Sequence, residues 1–173
     1  EKSHSTGGAA RNEGLKYATG EYLMFLDSDD CYVNNACELM YNMVTTRNAD
    51  VVTANYRCMT ENGELWAKET YDKTKYPTCD LDEANEKLFY LYCPSACMKI
   101  FNMKMIKDND IRFLVGVSAE DAFFTTEALL KSKKNSYLSE EIYHYRRRNT
   151  GEMSTSWMRN KNFFIGMSYA FKE

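Results

Sequence analysis

The stretch Gly20-Glu-Tyr-Leu-Met-Phe-Leu-Asp-Ser-Asp-Asp30 decides how this chain is read. Residues 21–26 are aromatic and apolar enough for a buried strand, and the run breaks at Asp27-Ser28-Asp29-Asp30. A strand ending in carboxylates delivers them to its C-terminal end, where open α/β sheets bind their ligands.

Upstream, residues 8–19 mix good helix formers with small residues, and Gly20 is placed to close that helix in a left-handed C-cap. Downstream, Asn34 can cap a helix to about Arg47 with Leu39, Met40, Met43 and Val44 on one face, and residues 50–56 follow as a strand. This alternation predicts an α/β fold with a mostly parallel sheet flanked by helices, and Glu61-Asn62-Gly63 predicts an added hairpin. Asp80-x-x-Glu83 has the form of a capping box ahead of a helix to about Tyr92. Residues 96–101 read as a strand, 103–107 as an amphipathic segment, and 119–131 as a helix opened by Ser118. Residues 136–139 and 142–146 read as short strands, and 155–171 as a terminal packing helix. No repeat, low-complexity tract or linker divides the chain.

The 173 residues suit one domain, long enough to bury roughly 70% of its unfolded surface without a metal or disulfide staple. Twenty-two basic against 25 acidic side chains give a net charge of −3, with no basic block to track a phosphate backbone, so nucleic acid is excluded as the main partner. The longest apolar runs fall far short of the roughly 20 residues of a membrane span, and no signal-peptide pattern opens the chain, so it reads as cytoplasmic. Arg146 to Arg148 and the aromatic C-terminus leave open peripheral attachment at the inner face of a membrane. Six cysteines without Cys-x-x-Cys pairs or nearby histidines disfavour zinc and read as buried free thiols. The chain starts at Glu1, without a methionine, as if entering a loop-to-helix unit midway, and reads as a fragment.

Three constellations could carry chemistry. Asp27, Asp29 and Asp30 are like charges at close quarters, which favours a hard divalent cation such as magnesium; the plain alternative is a polar turn. Glu120 and Asp121 fall in the first turn of a helix, where one could be a general base, or where Ser118 and Asp121 could simply cap the helix. Tyr143-His-Tyr-Arg-Arg-Arg148 is an aromatic and basic patch that could face a diphosphate, an anionic acceptor or solvent, and His144 could be a ligand or structural.

Three pieces stand in a recognisable order: Gly8-Ala-Ala-Arg-Asn-Glu-Gly14, then the Gly20 to Asp30 stretch, then Ile111-Arg-Phe113 followed by Glu120-Asp121. Ala49-Asp-Val-Val52, Lys99-Ile-Phe101 and Tyr143-His-Tyr-Arg146 support them. The set resembles the family-2 glycosyltransferases of the GT-A fold, which move a sugar from a nucleotide sugar to an acceptor. The resemblance implies that Asp27 and Asp29 form the Asp-x-Asp motif. Asp29 would be the main protein ligand of a Mg or Mn ion, Asp27 would lie nearer the ribose, and Asp30 would support them at the nucleotide sugar. Arg11 and Asn12, in the Ala-Arg-Asn segment, are expected near the nucleotide, and Asp121, with Glu120 as runner-up, is expected to be the catalytic base.

It further implies inverting transfer from a UDP-sugar to a saccharide or glycolipid acceptor, in surface polysaccharide or glycoconjugate synthesis. The family's opening strands, with a Pro-x-Tyr-Asn-like motif, have no counterpart here. Residues 1–173 are therefore expected to form a partial, N-terminally truncated domain holding the metal and acceptor half of the site. Two alternatives stand beside this reading. One is a non-catalytic saccharide or nucleotide-sugar interaction module. The other is a Mg-dependent phosphohydrolase of the haloacid-dehalogenase type with Asp27 as nucleophile, although that family expects Thr or Val where this chain has Cys31.

Overall fold

The computed structural model describes residues 7–67, 73, 76–81, 93–147, 165, 168 and 169. Helix α1 (Gly7–Tyr17) leads into strand β1 (Tyr22–Met24), a short β2 (Cys31–Tyr32), helix α2 (Ala36–Arg47) and the long β3 (Val51–Met59). After β4 (Cys79–Leu81) come a 3-10 turn (Ala96–Met98), β5 (Lys99–Asn102), helix α3 (Met103–Asp108), helix α4 (Glu120–Lys131) and β6 (Asn135–Arg146). The expected helix after Asp80 and the terminal helix over 155–171 fall almost wholly outside the described residues.

The described strands form one sheet in the order β1-β5-β3-β6-β2, with β4 also on β6. The α/β class is as expected, whereas among the described ladders only β3 with β6 is parallel. β5 runs antiparallel to both β1 and β3, and β2 and β4 run antiparallel to β6. β1, β3 and β6 therefore share one direction, as strands joined through helices should, while β5 slots between β1 and β3 against the grain. Alternation in the sequence predicts the shared direction of β1 and β3; it has no means of showing that β5 lies between them.

Two cores flank this sheet. On one side α2 packs Ala36, Met40, Met43 and Val44 against Val52, Ile100, Leu138 and Ile142. On the other, Phe101, Phe113 and Phe124 gather with Leu15, Ile106 and Ile111 around the partly buried Phe25. The Phe113 and Phe124 rings stack at 3.9 Å, and Phe25 meets Phe101, Phe113 and Phe124 edge-on. Such aromatic pairs add about 0.5–1.5 kcal/mol each beyond simple burial. Phe25 lies two residues before Asp27, and Phe124 one helical turn after Asp121, so this cluster fixes the acidic loop against the start of α4.

Several local expectations change. α1 ends at Tyr17, and Gly20 is not in the left-handed region, so it does not cap the helix. β1 is half-buried and spans only three residues. α2 is preceded by Asn35 rather than capped by Asn34, and Asn48 takes the left-handed position at its end. The hairpin is as expected: Gly63 adopts φ +87°, and Thr60 N–H donates to Glu64 O at 2.8 Å. Of the cysteines, only Cys58 and Cys97 are buried and Cys37 is exposed, all six being free thiols.

Candidate active site

Arg11 is the hub of the site. On α1 its guanidinium reaches Asp27 after β1, with Nη2 to Oδ1 at 2.6 Å, and Glu120 at the start of α4, with Nη1 to Oε1 at 3.1 Å. Nη1 also lies 3.0 Å from Asp121 Oδ1. Burial works against the charge on Arg11, but Asp121 and Asp27 outweigh it, and its pKa rises. The guanidinium rests on the Phe113 ring at 5.3 Å.

α1 comes this close because it starts with two glycines. A Cβ on Gly8 would sit 2.3 Å from the Leu114 carbonyl, and one on Gly7 would sit 2.7 Å from Glu120 Oε1. Asn12 adds a two-way clasp: its Nδ2 donates to Phe113 O at 2.8 Å, and its Oδ1 accepts from Phe113 N at 2.9 Å. Asn12 uses both ends of its amide to bind α1 to the 111–113 segment.

Asp121 is not a helix cap. Ala119, in the left-handed region at φ +62°, precedes α4 and there is no side-chain cap. Asp121 Oδ2 accepts instead from Ala96 N–H of the 3-10 turn at 3.3 Å. Oδ1 has ion-pair distance to Arg11 without hydrogen-bond geometry, and is a buried oxygen with no hydrogen-bond partner. Burial pushes the Asp121 pKa up to about 6; Arg11 pulls it down and Glu120 pushes it up again. A carboxylate whose pKa burial raises to about 6, beside a buried arginine, has the protonation range that proton transfer requires.

The acidic loop is anchored from β6. Tyr143 Oη donates to Asp30 Oδ2 at 2.7 Å and accepts from Asp27 N–H at 3.4 Å. Arg146 N–H donates to Asp30 Oδ1 at 2.7 Å, and Arg146 Nε donates to Asp29 O at 2.8 Å. Asp30 thus has both oxygens engaged in holding the loop, and burial raises its pKa. Asp27, with Oδ1 on Arg11, and Asp29 belong to the same loop, and one or two carboxylates are what a Mg or Mn ion takes when substrate phosphates complete its shell. Among the described residues there is no group of three or more His, Cys, Asp or Glu side chains that could hold a metal.

The remaining candidates lie apart. His144 Nε2 is 2.9 Å from Glu141 Oε1, whose other oxygen accepts from Arg57 Nε at 2.6 Å, so His144 belongs to a sheet-side polar cluster. The Arg147 guanidinium stacks on Trp66 at 5.6 Å and Tyr145 at 5.7 Å. Arg148 lies outside the described residues. Tyr143 and the Ala96 N–H are the site groups that sequence reasoning missed. Tyr143 stood within a quoted motif without a role, and a backbone donor leaves no mark in a sequence.

The fold is of the GT-A type, with an acidic loop after a strand and a carboxylate-bearing helix start brought to one arginine. The model of glycosyl transferase family 2 matches residues 2–109, and the chain belongs to that family. It is 32% identical over 162 residues to a poly(ribitol-phosphate) beta-glucosyltransferase of Bacillus spizizenii, covering 92% of this chain and 24% of the relative. It is 30% identical over 159 residues to the Staphylococcus aureus poly(ribitol-phosphate) beta-N-acetylglucosaminyltransferase TarS, covering 91% and 26%. The crystal structure of S. aureus TarS 1-349 in complex with UDP-GlcNAc superposes with a TM-score of 0.79 at 26% identity, covering 98% of this chain and 47% of that one. The chain thus spans about a quarter of the relatives' length. Family membership removes the dehalogenase-type alternative.

Proposed function

We propose that this chain supplies the metal and base half of an inverting glycosyltransferase site that moves a sugar from a UDP-sugar to an acceptor hydroxyl. The observation that carries the reading is Arg11, which ties Asp27 and the Glu120–Asp121 pair, ninety-odd residues apart in sequence, into one cleft. Asp29, with Asp27, would hold a Mg or Mn ion, whose charge would offset that growing on the leaving diphosphate. Asp27 lies toward the ribose, oriented by Arg11. The Asp121 carboxylate takes the proton of the acceptor hydroxyl as the hydroxyl oxygen bonds to the anomeric carbon. The bond from that carbon to the diphosphate oxygen breaks on the opposite face, and the electron pair leaves with UDP. This gives inversion in a single displacement.

Support for UDP comes from the UDP-GlcNAc complex of the similar TarS structure, and support for an acceptor in surface-polymer synthesis from relatives that act on poly(ribitol-phosphate). The acceptor class we favour is a saccharide or polyol-phosphate chain bearing free hydroxyls. The test is transfer from a panel of UDP-sugars by the intact protein, with Asp121→Asn alongside. The reading expects transfer by the native protein and a loss of roughly 100-fold or more in the variant, with donor affinity nearly kept. Near-normal turnover by Asp121→Asn would overturn it.

A further inference from the structure

Lys99 is the only charged side chain among the fully buried described residues. It opens β5 directly after the 3-10 turn, and in sequence it is a lone cation within an otherwise apolar run. A buried ammonium is costly unless its protons are satisfied. Here Nζ donates to Ser95 O at 3.0 Å and to Cys93 O. Ser95 Oγ in turn accepts from Cys97 N–H at 3.2 Å. The segment 93–97 is thereby pinned from beneath, and the N–H it presents outward is that of Ala96, which meets Asp121 Oδ2.

We propose that Lys99 is a positioning residue for Asp121: its ammonium locks the Cys93 and Ser95 carbonyls so that Ala96 N–H holds Oδ2 and sets Oδ1 against Arg11. The inference rests on the reading of Asp121 as the base. The groups that face Asp121 are Arg11 from α1, Glu120 from its own helix, Asp27 from the acidic loop, and Ala96 N–H and the Cys97 thiol from the 3-10 turn, with Lys99, whose pKa burial pushes down and Asp121 pulls up, acting from behind that turn. Besides Arg11, two groups favour the ionised carboxylate: the Ala96 N–H donates to it, and the Lys99 charge attracts it. Loss of Lys99 removes the charge and loosens the N–H, so Asp121 holds its proton to higher pH.

The test follows the Asp121 carboxyl carbon and the Ala96 amide by NMR across pH in the intact native protein and in Lys99→Met, with transfer kinetics on both. In the native protein the Ala96 amide should shift with the same midpoint as Asp121. In Lys99→Met the Asp121 midpoint should rise by about one pH unit, the Ala96 amide should no longer follow it, and the acid limb of kcat/KM should move with Asp121. The loss should fall on kcat, with donor KM changed less than about twofold. Lys99→Gln, which keeps a donor without the charge, should lie between the two and serves where the methionine variant does not fold. A folded variant with the Asp121 midpoint and the Ala96 amide unchanged overturns the proposal whatever its activity. A native Ala96 amide that ignores the Asp121 titration does so without any variant. Failure of the transferase reading shows separately, as native protein inert toward every donor.

Discussion

Arg11 and Asp121 sit on different helices, yet Nη1 of the first lies 3.0 Å from Oδ1 of the second. The same guanidinium holds Asp27 at 2.6 Å, so one cation joins the acidic loop to the start of α4. Replacing it exposes its electrostatic share. With Arg11→Met the attraction that lowers the Asp121 pKa is gone, while burial and Glu120 still raise it. The midpoint should move above about 6, and transfer near pH 6.5 should fall by about tenfold or more, with partial recovery at pH 8.5. A pH profile of kcat/KM checks this; an unmoved acid limb would contradict it.

Asp121 should also trade stability for function. Its folded-state pKa of about 6 stands above the roughly 3.9 of an unfolded aspartate, so the folded chain binds that proton more tightly. The unfolded state then binds fewer protons between those values, and this group's contribution to stability falls as pH rises from about 4 through about 6. Asp121→Asn should therefore melt higher than the native protein at pH 7.5 while losing transfer activity, and the gap should close by about pH 4. Melting curves at both pH values decide it.

Two glycines of α1 should answer alanine in opposite directions. Gly8→Ala pushes a methyl to 2.3 Å from the Leu114 carbonyl and should cost about 1–3 kcal/mol, as overpacking does. A Cβ on Gly14 meets nothing within 4 Å, and Gly14→Ala within the same helix should stabilise by about 0.5–1 kcal/mol. Chemical denaturation of both variants tests the close approach of α1 to the 113–114 segment.

Tyr143→Phe removes the hydroxyl that donates to Asp30 and accepts from Asp27 N–H. It should cost about 1–3 kcal/mol through the buried acceptor left unsatisfied, and should weaken metal-dependent nucleotide binding by loosening the acidic loop. Comparing thermal stability with UDP affinity separates the two effects. Lost stability with unchanged affinity would confine Tyr143 to the fold.

Much of this site was legible from residue order. The apolar run into Asp27-Ser-Asp-Asp30 placed a carboxylate loop at a strand end, and the Glu120–Asp121 pair at a helix start carried a second candidate. What the sequence left open was mutual orientation. Ser118 and Asp121 offered a capping box that would have explained Asp121 without chemistry, and only the left-handed turn at Ala119 and the Ala96 N–H show that it does not cap the helix. Asn12 and Asp30 stand beside the motifs, and each also engages both ends of its side chain with long-range backbone and hydroxyl partners that no local pattern encodes. The strand directions were half legible, since β5 enters between two helix-linked strands by a pairing set at long range.

The most direct measurement is calorimetric titration of UDP into the intact protein, with Mn present, with chelator, and with Asp29→Asn. A site that binds a nucleotide diphosphate through an ion held by Asp29 predicts binding heat with Mn that is lost in chelator and lost again in the variant. Equal binding in all three, or none with Mn, would contradict the claim that Asp27 and Asp29 form the diphosphate end of this cleft.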